Sequence, residues 1–142
     1  MKLSKALKQK NRLVRKINSL QQLINRDNST LEKDYNEEVI SGRFAEYYTS
    51  VNELVQLKSK IQQATAPIAD KLLAMAELKG QANFINNLKT RQGSFKDYDG
   101  NEEVYSCYYS QNHVDEKVSE IECKIDELQD EVDEYNAITS IQ

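Results

Sequence analysis

Apolar residues return at steps of three and four through most of the chain, the period of a helix with one buried face. Leu3, Ala6, Leu7, Leu13, Val14, Ile17, Leu20, Leu23 and Ile24 gather on one such face and predict a helix over residues 2–26. Residues 27–42 break the pattern and are expected to be irregular, with Ser29 and Glu32 spaced as a capping box for one short helix. A second stripe, Phe44, Tyr47, Tyr48, Val51, Leu54, Val55, Leu57 and Ile61, follows Gly42 and predicts a helix over 43–63. Pro67 suits a first helical turn and Thr65 can cap it. A third helix is therefore expected over 67–91, with Ile68, Leu72, Met75, Leu78, Ala82, Ile85 and Leu88 on its apolar side.

The fourth stripe is the most regular. Val114, Val118, Ile121, Ile125, Leu128, Val132 and Tyr135 alternate steps of four and three within a helix expected over 112–138. At the usual helical rise such a seam stays on one side for ~37 Å, the mark of a coiled coil. Val118, Ile125 and Val132 are β-branched at one seam position, which favours dimers in parallel coiled coils. The same seam would equally serve an antiparallel partner within one chain.

Residues 94–110 follow a different rule. Phe95 and Tyr98 precede Asp99-Gly100, and Val104, Tyr105, Cys107, Tyr108 and Tyr109 follow, so β-formers flank a favoured hairpin turn. A two-stranded ribbon is barely stable alone in water, so this arm must lie against something. Tyrosine can bury its ring and keep its hydroxyl wet. Two destinations lead: the rings of Phe95, Tyr98, Tyr105, Tyr108 and Tyr109, with Val104, cover the end of their own bundle, or they form an interface with a neighbouring subunit; a small-molecule pocket or a membrane-inserting hairpin is the lesser alternative, because KDYDGNEE is too charged to enter lipid easily. Taken together, the pattern predicts one all-α domain over residues 1–142, an antiparallel bundle of three to four long helices with coiled-coil character and a short β-hairpin or extended arm. One proline, four glycines and 30% charged residues in 142 suit long helices better than many turns.

Charge adds a polarity to this picture. Residues 1–26 hold Lys2, Lys5, Lys8, Lys10, Arg12, Arg15, Lys16 and Arg26 and no acid, whereas residues 114–142 hold ten acids against Lys117 and Lys124. The two ends carry +8 and −8, and the remaining −4 of the net charge lies between them. The terminal helices are thus expected to pair by charge, within or between chains. Nucleic-acid binding by the basic first helix is the lesser alternative, because an acidic partner is at hand and the pI is near 5.1.

Several chemistries find no residues. Gly42, Gly80, Gly93 and Gly100 cannot write a dinucleotide-binding turn or a phosphate loop. His113 is the one histidine, so a zinc helix of the H-E-x-x-H type is impossible, and Ser110 stands where a di-iron bundle needs Glu. Asp97, Asp99 and Gly100 resemble part of a calcium loop, but Phe95 and Ser106 fall at its first and last ligand positions. No catalytic residue, metal or cofactor is therefore expected. Cys107 and Cys123 do not form a disulfide framework and are expected to be thiols, which with the absence of a signal-peptide core or membrane span suggests the cytoplasm.

The opening MKLSKAL with Arg12 and Leu13, and the ending ELQDEVDEYNAITSI, resemble a family of small bacterial helical coiled-coil proteins, some labelled septicolysin. The resemblance spans nearly the whole chain. Asn136, Thr139 and Ile141 match the family's tail pattern, and EEVYSCYYS stands at its extended segment. The resemblance implies an elongated bundle that self-associates; the label implies a cytolytic activity, for which the residues supply no motif. The expected function is that of a self-assembling structural or interaction protein, a homo-oligomer without catalytic activity. The alternative is a ligand-binding or membrane-active, cytolysin-like protein.

Overall fold

A computed structural model describes residues 1–142. The chain is predominantly helical, with one two-stranded antiparallel hairpin. Its contacts fall into two compact units, Met1–Pro67 with Asp133–Gln142, and Ile68–Val132.

The first unit is built on α1 (Leu3–Asp27) and α2 (Glu37–Thr65). The Asn36 side chain accepts a hydrogen bond from the Val39 N–H at 3.2 Å, and Glu37 and Glu38 place negative charge in the first turn. Both effects favour a helix start, so α2 begins well before the expected residue 43. Gly42 lies inside the helix. An interior glycine costs ~1 kcal/mol relative to alanine, and burial of Ile40 one half-turn earlier offsets it. The short helix expected within 27–42 is a single 3-10 turn, Glu32–Asp34, that starts at Leu31 without a side-chain cap.

α1 and α2 run antiparallel. Leu3 and Ala6 pack with Leu57 and Ile61 at one end, Lys16 pairs with Glu46 at 3.2 Å further along, and Arg43 pairs with Asp27 at the other end. Positions 3, 6, 10, 13, 17, 20 and 24 of α1 and 40, 43, 47, 50, 54, 57, 61 and 64 of α2 are covered at alternating steps of three and four, with Leu7, Val14, Leu23, Phe44 and Val51 half-buried beside them. This is the heptad rhythm of a two-helix coiled coil. The ion pairs Lys16–Glu46 and Arg43–Asp27 tie α1 to α2.

The second unit contains α3 (Ala69–Asn86), the strands β1 (Gly93–Lys96) and β2 (Glu102–Tyr105), and α4 (Gln111–Ile138) as far as Val132. Thr65 does not cap α3. Its hydroxyl donates back to the carbonyls of Ile61 at 2.9 Å and Gln62 at 3.2 Å, and a 3-10 turn over Ala66–Ile68 precedes α3. α3 stops short of the expected residue 91, because Asn87 turns its amide onto the Asn83 carbonyl at 2.9 Å. Ile85, Val114 and Ile121 form the core, with Leu78, Ala82, Leu88, Val118 and Ile125 around them. Lys71–Glu131 at 2.8 Å and Thr90–Gln111 at 2.8 Å mark the two ends of an antiparallel pair. No helix is long and apolar enough to cross a membrane.

Candidate functional site: the aromatic arm

The hairpin pairs Gly93 with Tyr105, Ser94 with Val104, Phe95 with Glu103 and Lys96 with Glu102. Its loop is longer than the two-residue Asp99-Gly100 turn expected from sequence. The Asp97 N–H donates to the Asn101 carbonyl at 2.9 Å and the Gly100 N–H to the Asp97 carbonyl at 3.1 Å, which leaves Tyr98, Asp99 and Gly100 as a three-residue loop. Gly100 has φ +79°, the left-handed conformation such a loop requires at this position. The Asp97 carboxylate accepts from the N–H groups of Asp99 at 3.0 Å and Asn101 at 2.8 Å. That carboxylate holds the turn.

One face of the hairpin is an aromatic clamp on a cation. Phe95 and Tyr105 meet edge to face with ring centres 5.6 Å apart, and the Arg91 guanidinium stands 4.1 Å from one ring centre and 4.7 Å from the other. Such contacts are individually worth ~0.5–1 kcal/mol at exposed sites. The Tyr105 hydroxyl donates to Glu103 at 3.3 Å. Arg91 lies outside the 94–110 segment that the sequence singles out; no period or motif marks it, and only its position four residues before Phe95 hints at the contact.

Every strand position of the hairpin is exposed. Val104 is exposed, and Tyr98 and Tyr108 present nearly their whole side chains to solvent. Phe95 and Tyr105 are covered mainly by one another and by Arg91. Tyr109 differs: it is half-buried and packs on the Ile85, Val114 and Ile121 core. Its ring stacks on Tyr108 at 5.0 Å and lies 6.1 Å from His113. Ser110 caps α4, its hydroxyl oxygen accepting from the His113 N–H at 3.3 Å, so the lone histidine sits in the first turn of that helix. An open cavity of about 760 Å³ lies beside β2, lined by Lys89, Arg91, Tyr105, Cys107 and Tyr108 among others. Cys107 and Cys123 are free thiols, and no group of three His, Cys, Asp or Glu side chains converges.

The coiled-coil seam residues lie as follows. Val114, Ile121 and Val132 are buried, and Val118, Ile125, Leu128 and Tyr135 are half-buried. Tyr135 belongs to the first unit, where it packs with Leu3, Ala6, Leu57 and Ile61. There the two chain ends are joined by backbone: the Leu3 N–H donates to the Thr139 carbonyl at 2.7 Å and the Ile141 N–H to the Met1 carbonyl at 2.9 Å. Lys2 adds a bond from its ammonium to the Ile138 carbonyl at 3.0 Å. This clasp escapes a sequence reading because it uses main-chain groups. The Asn136 Oδ1 atom is buried beside it without a hydrogen-bond partner.

No family model matches the chain, and neither does any curated protein or solved structure.

Proposed function

We propose that this chain is a self-assembling helical protein with a structural or interaction role and no catalytic activity, whose antiparallel bundle is completed when copies associate. The observation that carries this reading is the aromatic arm. A hairpin of two four-residue strands, exposed at every position, presents Tyr98, Val104 and Tyr108 to solvent. Such a ribbon gains stability by lying on a further surface, and tyrosine is a favoured anchor for a subunit contact. Phe95, Tyr105 and Arg91 stiffen the arm, and Tyr109 roots it in the α3–α4 core.

Charge supports the same reading. Lys8, Arg12 and Arg15 of α1 are exposed, as are Glu116, Glu120 and Glu127 of α4. A basic helix and an acidic helix with solvated charges steer copies together and set their register. The free thiols of Cys107 and Cys123 support a reducing compartment such as the cytoplasm. Light scattering of the purified chain tests the proposal: a mass of two or more chains is expected, and a monomer at all concentrations overturns it.

A second reading, ligand binding, is favoured by one observation. The cavity beside β2 brings Lys89, Arg91 and Tyr108 together with no acid in its lining, which suits an aromatic anion.

A further inference from the structure

α1 and α4 each carry a stripe of one charge on the side away from their own apolar seam. On α1 it is Lys5, Lys8, Arg12 and Arg15, at steps of three, four and three, all exposed. On α4 it is Glu116, Glu120, Glu127, Asp130 and Glu134, exposed likewise, with the exposed thiol of Cys123 filling the one gap in the rhythm. At 3.6 residues per turn both stripes lie about 150° around the helix from the seam.

A surface that only faces water mixes the two signs. α2 and α3 do so, as at Glu53 and Lys58 or at Asp70 and Lys71. Like charges three and four residues apart repel each other along a helix, so an unmixed stripe weakens the helix that carries it. The ion pairs of α1 are made by Lys16, Arg26 and Asp27, and the four stripe cations take part in none of them. On α4, Glu120 is met at 3.3 Å by Lys117 of its own helix. Two self-repelling stripes of opposite sign, each turned outward, therefore stand on one chain.

We infer that the cationic stripe of α1 docks on the acidic stripe of α4 in a second copy of the chain. Charge complementarity selects this occupant. An anionic partner of another kind would answer α1 and be repelled by α4, and a cationic partner the reverse, whereas a second copy answers both stripes with one kind of contact. Spacing agrees with this choice. Positions 5, 8, 12 and 15 keep the same steps as 120, 123, 127 and 130, and three-four-three reads alike in both directions, so the runs match with the helices parallel or antiparallel. Lys5, Arg15 and one of Lys8 and Arg12 then each face a carboxylate, and the other faces Cys123. Over ~15 Å of helix this contact is charged rather than apolar, so it sets orientation and salt dependence while burial comes from the arm. The inference rests on the self-assembly proposed above and gives the charged helices their partner face.

The test is a reciprocal charge swap. One variant carries Lys8→Glu, Arg12→Glu and Arg15→Glu, the other Glu120→Lys, Glu127→Lys and Asp130→Lys; all six side chains are exposed, and circular dichroism checks that helicity holds. By light scattering at low salt, each variant alone is expected to lose mass relative to the wild type. An equimolar mixture is expected to regain it, because every stripe again meets its opposite. Variants that keep the wild-type mass, or a mixture that stays at the mass of its parts, overturn this docking and leave self-assembly standing; a monomeric wild type overturns both. Cys123 locates the contact. In a chain carrying Cys107→Ser, adding Lys8→Cys or Arg12→Cys should let a short bifunctional maleimide join two chains through Cys123. If neither change raises the yield of joined chains above that of Cys107→Ser alone, the placement on this face is overturned.

Discussion

The Tyr135 hydroxyl donates a 2.7 Å hydrogen bond to the carbonyl oxygen of Ala64, 71 residues earlier in the chain. Ala64 lies in the last turn of α2, where carbonyl groups run out of intrahelical donors. Tyr135 therefore does two things at once: its ring packs with Leu3, Ala6, Leu57 and Ile61, and its hydroxyl caps the helix that supplies two of those residues. Tyr135→Phe keeps the ring and removes the cap. A loss of ~1 kcal/mol is expected, seen as a lower urea midpoint at unchanged slope. An unchanged midpoint would show that the bond contributes nothing net.

Asp27 supplies a pH dependence. Hydrogen bonds from Arg26 and Arg43, reinforced by their charges, hold its carboxyl well below the usual carboxylate range. A folded-state value below the unfolded one, which is ~3.9, means stabilisation present above that pH and lost as the pH falls through the folded value. Wild type is expected to melt higher than Asp27→Asn at neutral pH, and the two melting temperatures should converge in acid. A constant difference down to the lowest pH would remove the ion pair as the cause.

These two contacts also show what a sequence reading reaches. The seams of α1 and α4 are legible because a heptad places apolar residues wherever a partner will lie. Which partner is not legible, since any heptad seam fits any other. Opposite charge at the chain ends points to α1 with α4, and no charge pattern announces that Lys16 and Asp27 of α1 find Glu46 and Arg43 of α2. Closing the short segment between α1 and α2 costs little entropy, and the distant chain ends meet as well, through the packing of Tyr135 on Leu3 and Ala6 and the main-chain bond from Leu3 to Thr139. The start of α2 was obscured by Gly42, whose cost is overridden by the Asn36 cap and the burial of Ile40. The hairpin is legible from its β-formers and Asp99-Gly100, but its loop length depends on two bonds to the Asp97 side chain.

The terminal charges remain available for contacts between copies. Lys8, Arg12 and Arg15 are exposed on the outer side of α1. Changing all three to Glu should alter the stability of α1 against α2 by no more than about 0.5 kcal/mol per site, as is usual for surface positions. Assembly, by contrast, should weaken much more at 10 mM than at 150 mM salt, because the Debye length shortens from ~30 Å to ~8 Å. Equal weakening at both salts would argue against steering by α1.

The arm separates two kinds of tyrosine, and substitution should separate them in solution. Tyr98, Tyr105 and Tyr108 stand outside the α3–α4 core, so changing them to Ser removes anchors that matter to a neighbour and little that matters to the chain itself. The triple variant is expected to lose mass by light scattering and keep its helical circular dichroism, with a melting temperature lowered only by the loss of the Tyr105 contacts to Phe95 and Arg91. Tyr109 packs on Ile85, Val114 and Ile121, so Tyr109→Ser should do the reverse, lowering stability by about 1–3 kcal/mol through lost burial while assembly persists. A triple variant that melts early at unchanged mass would make the whole arm a cap on its own helices. The proposed subunit contact would then have to lie elsewhere.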